Sequence, residues 1–516
     1  MAGSLHWLDY VIIVISLLVS LYIGVYFAKR QKDTNKYYAA SGNIPAWAVG
    51  MSILATLISS ITFLAYPGEG FSSNWIRLVQ GLMVPVVLIF LVWFIVPLYR
   101  TVIGISAYEY FEKRFGFFAR IYSSLGFALA HFSKMGTVFF LLSLAISNMM
   151  GVSTFSVILV VGIAVIIITL LGGIEAVIWL DVIQGFLLIS GGIITVFVLL
   201  FTPEGGPAAV WGTAMEAGRI GFGPFDWDFV NLTFWVMAIN GIFYAIQKYG
   251  TDQTIVQRYL TARSEKSAIK AALMGVLLCV PVWALFMFIG TALFSYFQLT
   301  DISLPAGTRA DAVFPLFIMS ELPIGVTGLI LSALIAAAIS SLDSDLNCLS
   351  AVGVEDYYKR FRPDSTDAQR LRVGKILVAI SGMGAILVAI FYIFAGNKGV
   401  LGIIFTLYAI FSGGIAGMFL LGLFSRRANK QGLYIGIAAS VLFTGWAILT
   451  STPIGADNKI LLDFGDYNYT HHKYMLGVYS HFVLFIVAYI ASYFFPTKKI
   501  EENLTIYGWI KRQKAQ

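Results

Sequence analysis

The run Ala336-Ala337-Ala338-Ile339-Ser340-Ser341-Leu342-Asp343-Ser344-Asp345-Leu346-Asn347 gathers hydroxyls and carboxylates at the end of an apolar stretch. On a helix, Ala337, Ser340, Ser341 and Ser344 share one face, with Asp343 at its margin. Hydroxyl, carbonyl and carboxylate oxygens suit a hard cation. Serine alone would mean little, because in membrane helices it often bonds its own backbone or eases packing. The two aspartates weaken that bland reading. Asp181 closes the segment Gly172-Gly173-Ile174-Glu175-Ala176-Val177-Ile178-Trp179-Leu180-Asp181. It reads equally as a cation ligand at the depth of the serine cluster or as a helix N-cap. Lys134 sits inside a further apolar run, with His131 three residues earlier on the same helix face. A charge at membrane depth costs at least about 2.5 kcal/mol. Lys134 is therefore either a donor to the hydroxyls or carboxylate of a solute, or a structural cation paired with a carboxylate.

Two apolar runs are interrupted by polar residues. One break is Ala55-Thr56-Leu57-Ile58-Ser59-Ser60-Ile61-Thr62, and the other is Tyr244-Ala245-Ile246-Gln247-Lys248-Tyr249-Gly250-Thr251-Asp252-Gln253. Breaks in corresponding spans of two halves mark a transporter site built on discontinuous helices.

The elements that must hold these groups are membrane spans. Hydrophobic residues make up 59% of the 516 residues and charged residues 12%, against about 25% charged in a soluble domain. A spanning helix needs roughly 20 mostly apolar residues. The sequence predicts about thirteen such spans, at 9–28, 46–66, 78–98, 121–147, 154–172, 182–201, 232–247, 268–296, 324–347, 373–395, 400–422, 431–450 and 475–495. The first is read as a retained span and not a signal peptide, because its leading residues are not basic. With the N-terminus outside, the outer segments hold only Arg77, Arg219, Arg309, Lys398, Lys459 and Lys473, while the remaining loop Lys and Arg fall inside. That bias sets orientation, and it favours an odd span number with the C-terminus cytoplasmic. Gly413, Gly417 and Gly422 read as close-packing positions. The net charge of +7 lies in short loops without a basic-aromatic stripe, so no nucleic-acid partner is expected. Cys279 and Cys348 form neither a disulfide framework nor a metal spacing.

Four segments together resemble the sodium/solute symporters, the family of the sodium/glucose cotransporters, whose sialic acid transporting members are also similar. They are Trp47–Ser59, Gly172–Asp181 with Ile183-Gln184, Gly250-Thr251-Asp252-Gln253 with Val256-Gln257-Arg258, and Ala336–Ser344 with Asn347. The resemblance implies an all-α membrane fold of the leucine-transporter type. It would have a peripheral first helix (9–28), inverted five-helix repeats at 46–201 and 232–422, and peripheral C-terminal helices (431–495). It also implies a sodium site of Ala55, Ile58 and Ala337 backbone oxygens with the Ser340 and Ser341 hydroxyls. A second sodium site, present in some members, would match Asp181, Ser340, Asp343 and Ser344. Asp343 stands where a serine is expected in two-sodium relatives. Substrate positions would be Lys134, Ser59, Thr62, Gln80 and Tyr249, with Tyr249 as an inner gate. Gly81 falls where some galactose transporters carry Glu.

The function implied is sodium-coupled symport of a small polar organic solute, a monosaccharide or acidic sugar, by alternating access, with one or two Na+ as coupling ions. The expected setting is a plasma membrane (the inner membrane in a Gram-negative cell), with the chain working as a monomer. The alternatives are sodium symport of a carboxylate, vitamin or amino acid, a proton-coupled transporter, or a channel. No His-Glu-x-x-His, Gly-x-Ser-x-Gly or phosphate-binding loop argues for an enzyme.

Overall fold

The computed structural model describes residues 5–29, 31, 33–305, 307–395, 413–454, 459–497 and 499–515. The helices in order are α1 (Trp7–Ala28), α2 (Thr34–Ala39), α3 (Ala46–Leu57), α4 (Ser60–Ser72), α5 (Leu78–Val102), α6 (Glu109–Phe115) and α7 (Phe117–Met150). Then come α8 (Thr154–Phe201), α9 (Gly206–Glu216), α10 (Phe234–Gly250), α11 (Gln253–Thr261), α12 (Glu265–Leu299), α13 (Ala310–Ser320) and α14 (Val326–Val352). After them lie α15 (Lys359–Phe361), α16 (Asp367–Ala395), α17 (Ile415–Phe424), α18 (Lys430–Ser451), α19 (Lys473–Ala491) and α20 (Ile506–Ala515). Two-residue strands, Pro453–Ile454 and Lys459–Ile460, pair antiparallel after α18.

Among the described residues, nine helices are long and apolar enough to cross a bilayer, or ten if α3 and α4 form one broken span. Thirteen crossings are not reached on that count. The expected spans 154–172 and 182–201 lie within the single element α8. The span expected at 232–247 becomes α10, only 17 residues long. Of the span at 400–422, residues 400–412 lie outside the described set, leaving α17. Burial grades from rim to centre: 22% of the apolar window of α1 is buried, against 89% for the segment containing α14. Gly417 permits close packing, since a Cβ there would meet the His481 carbonyl of α19 at 2.2 Å.

Three irregular points shape the middle of the bundle. The first is the 60° bend between α3 and α4. Ile58 and Ser59 are extended there, and the Ser59 hydroxyl accepts the Ile61 amide at 3.2 Å. A serine N-cap next to a non-helical residue is what lets a helix stop and restart inside a membrane. The second is the α10–α11 link, where Asp252 caps α11 by accepting the Thr254 amide at 2.9 Å.

The third is Gly173 in α8, with φ 59° and ψ −166°. The turn there leaves carbonyls without helical partners. Side chains from the α1–α2 region supply donors: Gln31 Nε2 donates to the Gly172 carbonyl at 2.8 Å and the Tyr37 hydroxyl to the Thr169 carbonyl at 2.9 Å. Lys36 pairs with Glu175 at 2.8 Å. The break aims the second half of α8, with Asp181, at α3 and α14, both of which pack against α8.

A Cβ at Gly173 would lie 2.8 Å from the Tyr37 ring. Its backbone region is essentially reserved for glycine, at about 1–3 kcal/mol for other residues. Gly173→Ala is therefore expected to lower the unfolding temperature in detergent clearly below that of Gly212→Ala, whose Cβ meets nothing within 4 Å. Equal unfolding temperatures for the two variants would show that the turn tolerates a side chain.

Candidate functional site

Asp181 and Arg258 are both fully buried and pair at 3.0 Å. Asp181 reaches across three helices. One carboxylate oxygen accepts the Ser340 hydroxyl of α14, and the other accepts the Ser52 hydroxyl of α3. Arg258, on α11, spends its remaining donors nearby: Nε on Ser52 Oγ at 2.7 Å, Nη1 on the Thr254 carbonyl at 2.6 Å, and Nη2 on Ser344 Oγ at 2.7 Å. Thr56 Oγ1 and Ser344 Oγ lie 3.3 Å apart. The four helices α3, α8, α11 and α14 are thus joined by one polar knot. Asp181 is not a helix N-cap, because it lies inside α8 and its carboxylate is taken by side chains.

The expected first sodium ligands lie in and around this knot. Ala55 and Ile58 sit at the C-terminal end of α3, where the last turn of a helix leaves carbonyls without amide partners. Ala337, Ser340 and Ser341 are buried on α14, and Ser341 Oγ has no hydrogen-bond partner. Of the second set, Asp181, Ser340 and Ser344 meet directly or through Arg258. Asp343 is fully buried, and neither carboxylate oxygen has a side-chain partner. Orphaned buried oxygens of this kind carry a heavy desolvation penalty unless a proton or cation joins them. The donor set is all oxygen, which fits Na+.

Next to the knot lies a cavity of about 510 Å³, within the range of small-molecule sites. The α3–α4 break contributes Thr56, Leu57 and Ile61 to its wall; α7 contributes His131, Ser133, Lys134 and Thr137; α10 and its link contribute Tyr244, Gln247, Lys248, Thr251 and Asp252. Positions 244, 247, 248 and 251 make one helical stripe.

A chain of ion pairs runs along this wall, with Asp345 behind it. Lys134 Nζ is 3.1 Å from Asp345, and His131 Nδ1 is 2.8 Å from Asp345. His131 Nε2 is 3.2 Å from Asp252, and Lys248 Nζ is 2.6 Å from Asp252. Lys134 thus lines the cavity and pairs with a carboxylate, as its structural reading expected.

The other expected substrate positions are spread out. Ser59 and Thr62 are buried at the break, with Ser59 acting as a cap. Gln80, on α5, has its backbone against Gly241 of α10, where a Cβ would meet the Gln80 carbonyl at 2.8 Å. Tyr249 is fully buried, its hydroxyl has no partner, and it is not part of the cavity wall. Ser52, Arg258, Asp345, Asp252 and Lys248 are functional candidates that local sequence patterns leave unassigned. The signal available was that Arg258 is the sole charge in the segment Gln253–Thr261.

The family model described as the sodium:solute symporter family matches residues 37–439. The sodium/sialic acid symporter NanT of Aliivibrio fischeri is 33% identical over 450 residues, covering 86% of this chain and 88% of that protein. The sodium/sialic acid symporter SiaT of Proteus mirabilis is 34% identical over 441 residues, covering 84% and 88%. A solved Na+-coupled sialic acid symporter, substrate-bound and outward-open, superposes with a TM-score of 0.88 at 31% identity, over 96% of this chain and 100% of that one. The chain belongs to the sodium:solute symporter family. It is a multi-pass membrane transporter of the leucine-transporter fold type, with sodium as its coupling ion and a small molecule as its solute.

Breaking a buried ion pair from one side costs about 3–5 kcal/mol, whereas removing both charges costs far less. Arg258→Met is expected to abolish monodisperse protein on size exclusion in detergent, and Asp181→Asn/Arg258→Met to recover most of it. A single variant that elutes like wild type would show that Asp181 needs no cationic partner.

Proposed function

We propose that the chain imports a hydroxyl-rich organic solute, a monosaccharide or acidic sugar, across a plasma membrane together with sodium by alternating access. The observation that carries this reading is the buried, oxygen-rich meeting of α3, α8 and α14 directly beside a sugar-sized cavity. Sodium would be held by the Ala55, Ile58 and Ala337 carbonyls and the Ser340 and Ser341 hydroxyls. A second ion would use Asp181, Ser340, Asp343 and Ser344. Arg258 already places one positive charge among those groups, and Asp343 supplies the extra negative charge that a further cation needs. Lys134, Ser59, Thr62, Gln80 and Tyr249 are our candidates for solute contact or gating.

In this reading the inverted repeats are 46–201 and 232–422, flanked by 9–28 and 431–495, with the N-terminus outside and the C-terminus cytoplasmic. The Lys and Arg distribution supports that orientation. No chemical transformation of the solute is part of the cycle. Ion and solute binding must strengthen each other by the same factor, because coupling between sites is reciprocal.

The test is uptake into proteoliposomes under an inward sodium gradient, with hexoses, hexuronates and sialic acids as probes. Wild type is expected to accumulate at least one of them about tenfold more in sodium than in choline. Ser340→Ala/Ser341→Ala is expected to fall to the choline level in both media. Uptake by this double variant that equals wild type and ignores sodium would remove the ion assignment.

A further inference from the structure

The C-terminal arm folds back onto the bundle at the edge of the membrane. α20 docks through its apolar residues. The Trp509 ring lies 4.4 Å from that of Phe94 on α5, and Ile506 shares a crevice with Leu98 of α5 and Leu423 of α17. The Tyr110 hydroxyl of α6 donates to the Leu504 carbonyl at 3.1 Å and fixes the approach of the arm. Phe94 and Leu98 belong to the last three turns of α5, a helix long and apolar enough to cross the bilayer. α20 therefore lies at the rim of the hydrocarbon layer. An amphipathic helix with a basic end rests there on lipid head groups.

Two neighbouring arginines just after α17 are used differently. Arg427 is tied into the protein: it donates to the Thr497 hydroxyl and to the Tyr493 and Phe495 carbonyls at 3.2 and 3.4 Å. Arg426 is exposed, with its guanidinium carbon 4.0 Å from the centre of the Tyr507 ring on α20. It makes no hydrogen bond or ion pair among the described residues. Cation–π contact leaves the guanidinium donors at its edge free. The Lys511 ammonium, 2.9 Å from Glu502, together with Arg426 and Lys499, holds the Glu502 carboxyl below its usual value, so these three cations stand around one spot. Residues 425–430 and 496–516 carry eight Lys and Arg against Glu501 and Glu502 alone, so the surplus attracts an anion.

A track for an acyl chain ends at the same place. On α19 and the turn after it, Phe482, Ile486, Ile490 and Tyr493 recur every three or four residues and are 48%, 50%, 55% and 57% exposed. From Phe482 to Tyr493 this stripe rises about 16 Å at 1.5 Å per residue, roughly half of a 30 Å hydrocarbon core. Its last ring, Tyr493, lies 5.1 Å from the Arg427 guanidinium, next to Arg426 in the chain. We propose that Arg426, Lys499 and Lys511 bind the phosphate of an anionic phospholipid, one of whose acyl chains lies on the α19 stripe. In the orientation read from the Lys and Arg distribution, this lipid belongs to the cytoplasmic leaflet. Arg426 meets the phosphate with its planar fork while its face stays on Tyr507. The bound lipid thereby ties α20 to the end of α17 and to α19.

The experiment titrates the full chain in detergent with phosphatidylglycerol or phosphatidylcholine of identical acyl chains and counts bound lipid by native mass spectrometry. Wild type should bind phosphatidylglycerol with a Kd about tenfold or more below that of phosphatidylcholine. This comparison needs no variant. Arg426→Gln/Lys499→Gln should raise the phosphatidylglycerol Kd about tenfold and leave that of phosphatidylcholine unchanged. Arg362→Gln/Arg372→Gln removes the same charge from exposed positions flanking the start of α16. It should leave the phosphatidylglycerol Kd within about twofold of wild type. Tyr507→Leu keeps an apolar side chain on α20 but takes away the ring that holds Arg426, and should weaken phosphatidylglycerol several-fold.

Equal affinity of wild type for the two lipids overturns the site. Equal losses in the two double variants also overturn it, since they would mean that positive charge anywhere on that side of the protein suffices. Displacement of phosphatidylglycerol by an excess of inorganic phosphate would show that the head group alone is bound, and would remove the stripe from the proposal. None of these outcomes touches the transport reading, which the uptake experiment tests separately.

Discussion

The pairing of Asp181 with Arg258 is the constraint around which the rest of the bundle is arranged. Both side chains are fully buried, and neither could stay ionised alone at membrane depth. To bring them together, α8 must turn at Gly173, α10 must end so that the short α11 can enter the core, and Ser52 and Ser340 must face inward from two other helices. Each of these local irregularities would be a defect in a soluble bundle. Here they serve one knot, and the oxygens of Ser341 and Asp343 stay without hydrogen-bond partners beside it.

The irregular backbone was the legible part of the sequence. The polar interruptions at Ala55–Thr62 and Tyr244–Gln253 both mark the observed breaks, where Ser59 and Asp252 cap α4 and α11. The α14 hydroxyl face was readable from helical spacing alone. Gly172-Gly173 was present as a signal, but the segment up to Asp181 read as a connection between two spans. A single residue with positive φ lets the helix resume at once, so Asp181 lies inside the helix and not at its start.

Partner choice was not legible. That Arg258 meets Asp181, or that Asp345 meets Lys134 and His131, depends on long-range packing that has no period in the sequence. The α10 wall shows the same limit. Resemblance pointed to Tyr249, whereas the helical stripe of Tyr244, Gln247, Lys248 and Thr251 forms the cavity surface. Tyr249 is roughly one quarter-turn away from Lys248 at 3.6 residues per turn, enough to bury it behind that surface.

The two polar systems share one rigid carrier, and that explains how ion and solute can sense each other without a long relay. α14 presents Ser340 and Ser344 to the knot and, one residue later, Asp345 to the charge chain. Across from it, the end of α3 carries Ala55 and Ile58, our proposed ion ligands, beside Thr56 and Leu57 on the cavity wall. A solute resting on Thr56 and Leu57 therefore touches the same helical turn whose carbonyls would face the ion. If α3 separates from α14, the oxygens around the ion part, and the wall that includes Lys134 changes at the same time. Coupling needs an element with two arrangements that both ligands bias. The α3–α14 contact meets that need over a single turn of helix, and in the proposed cycle the buried Asp343 carboxylate on α14 would add the charge that draws a cation to it.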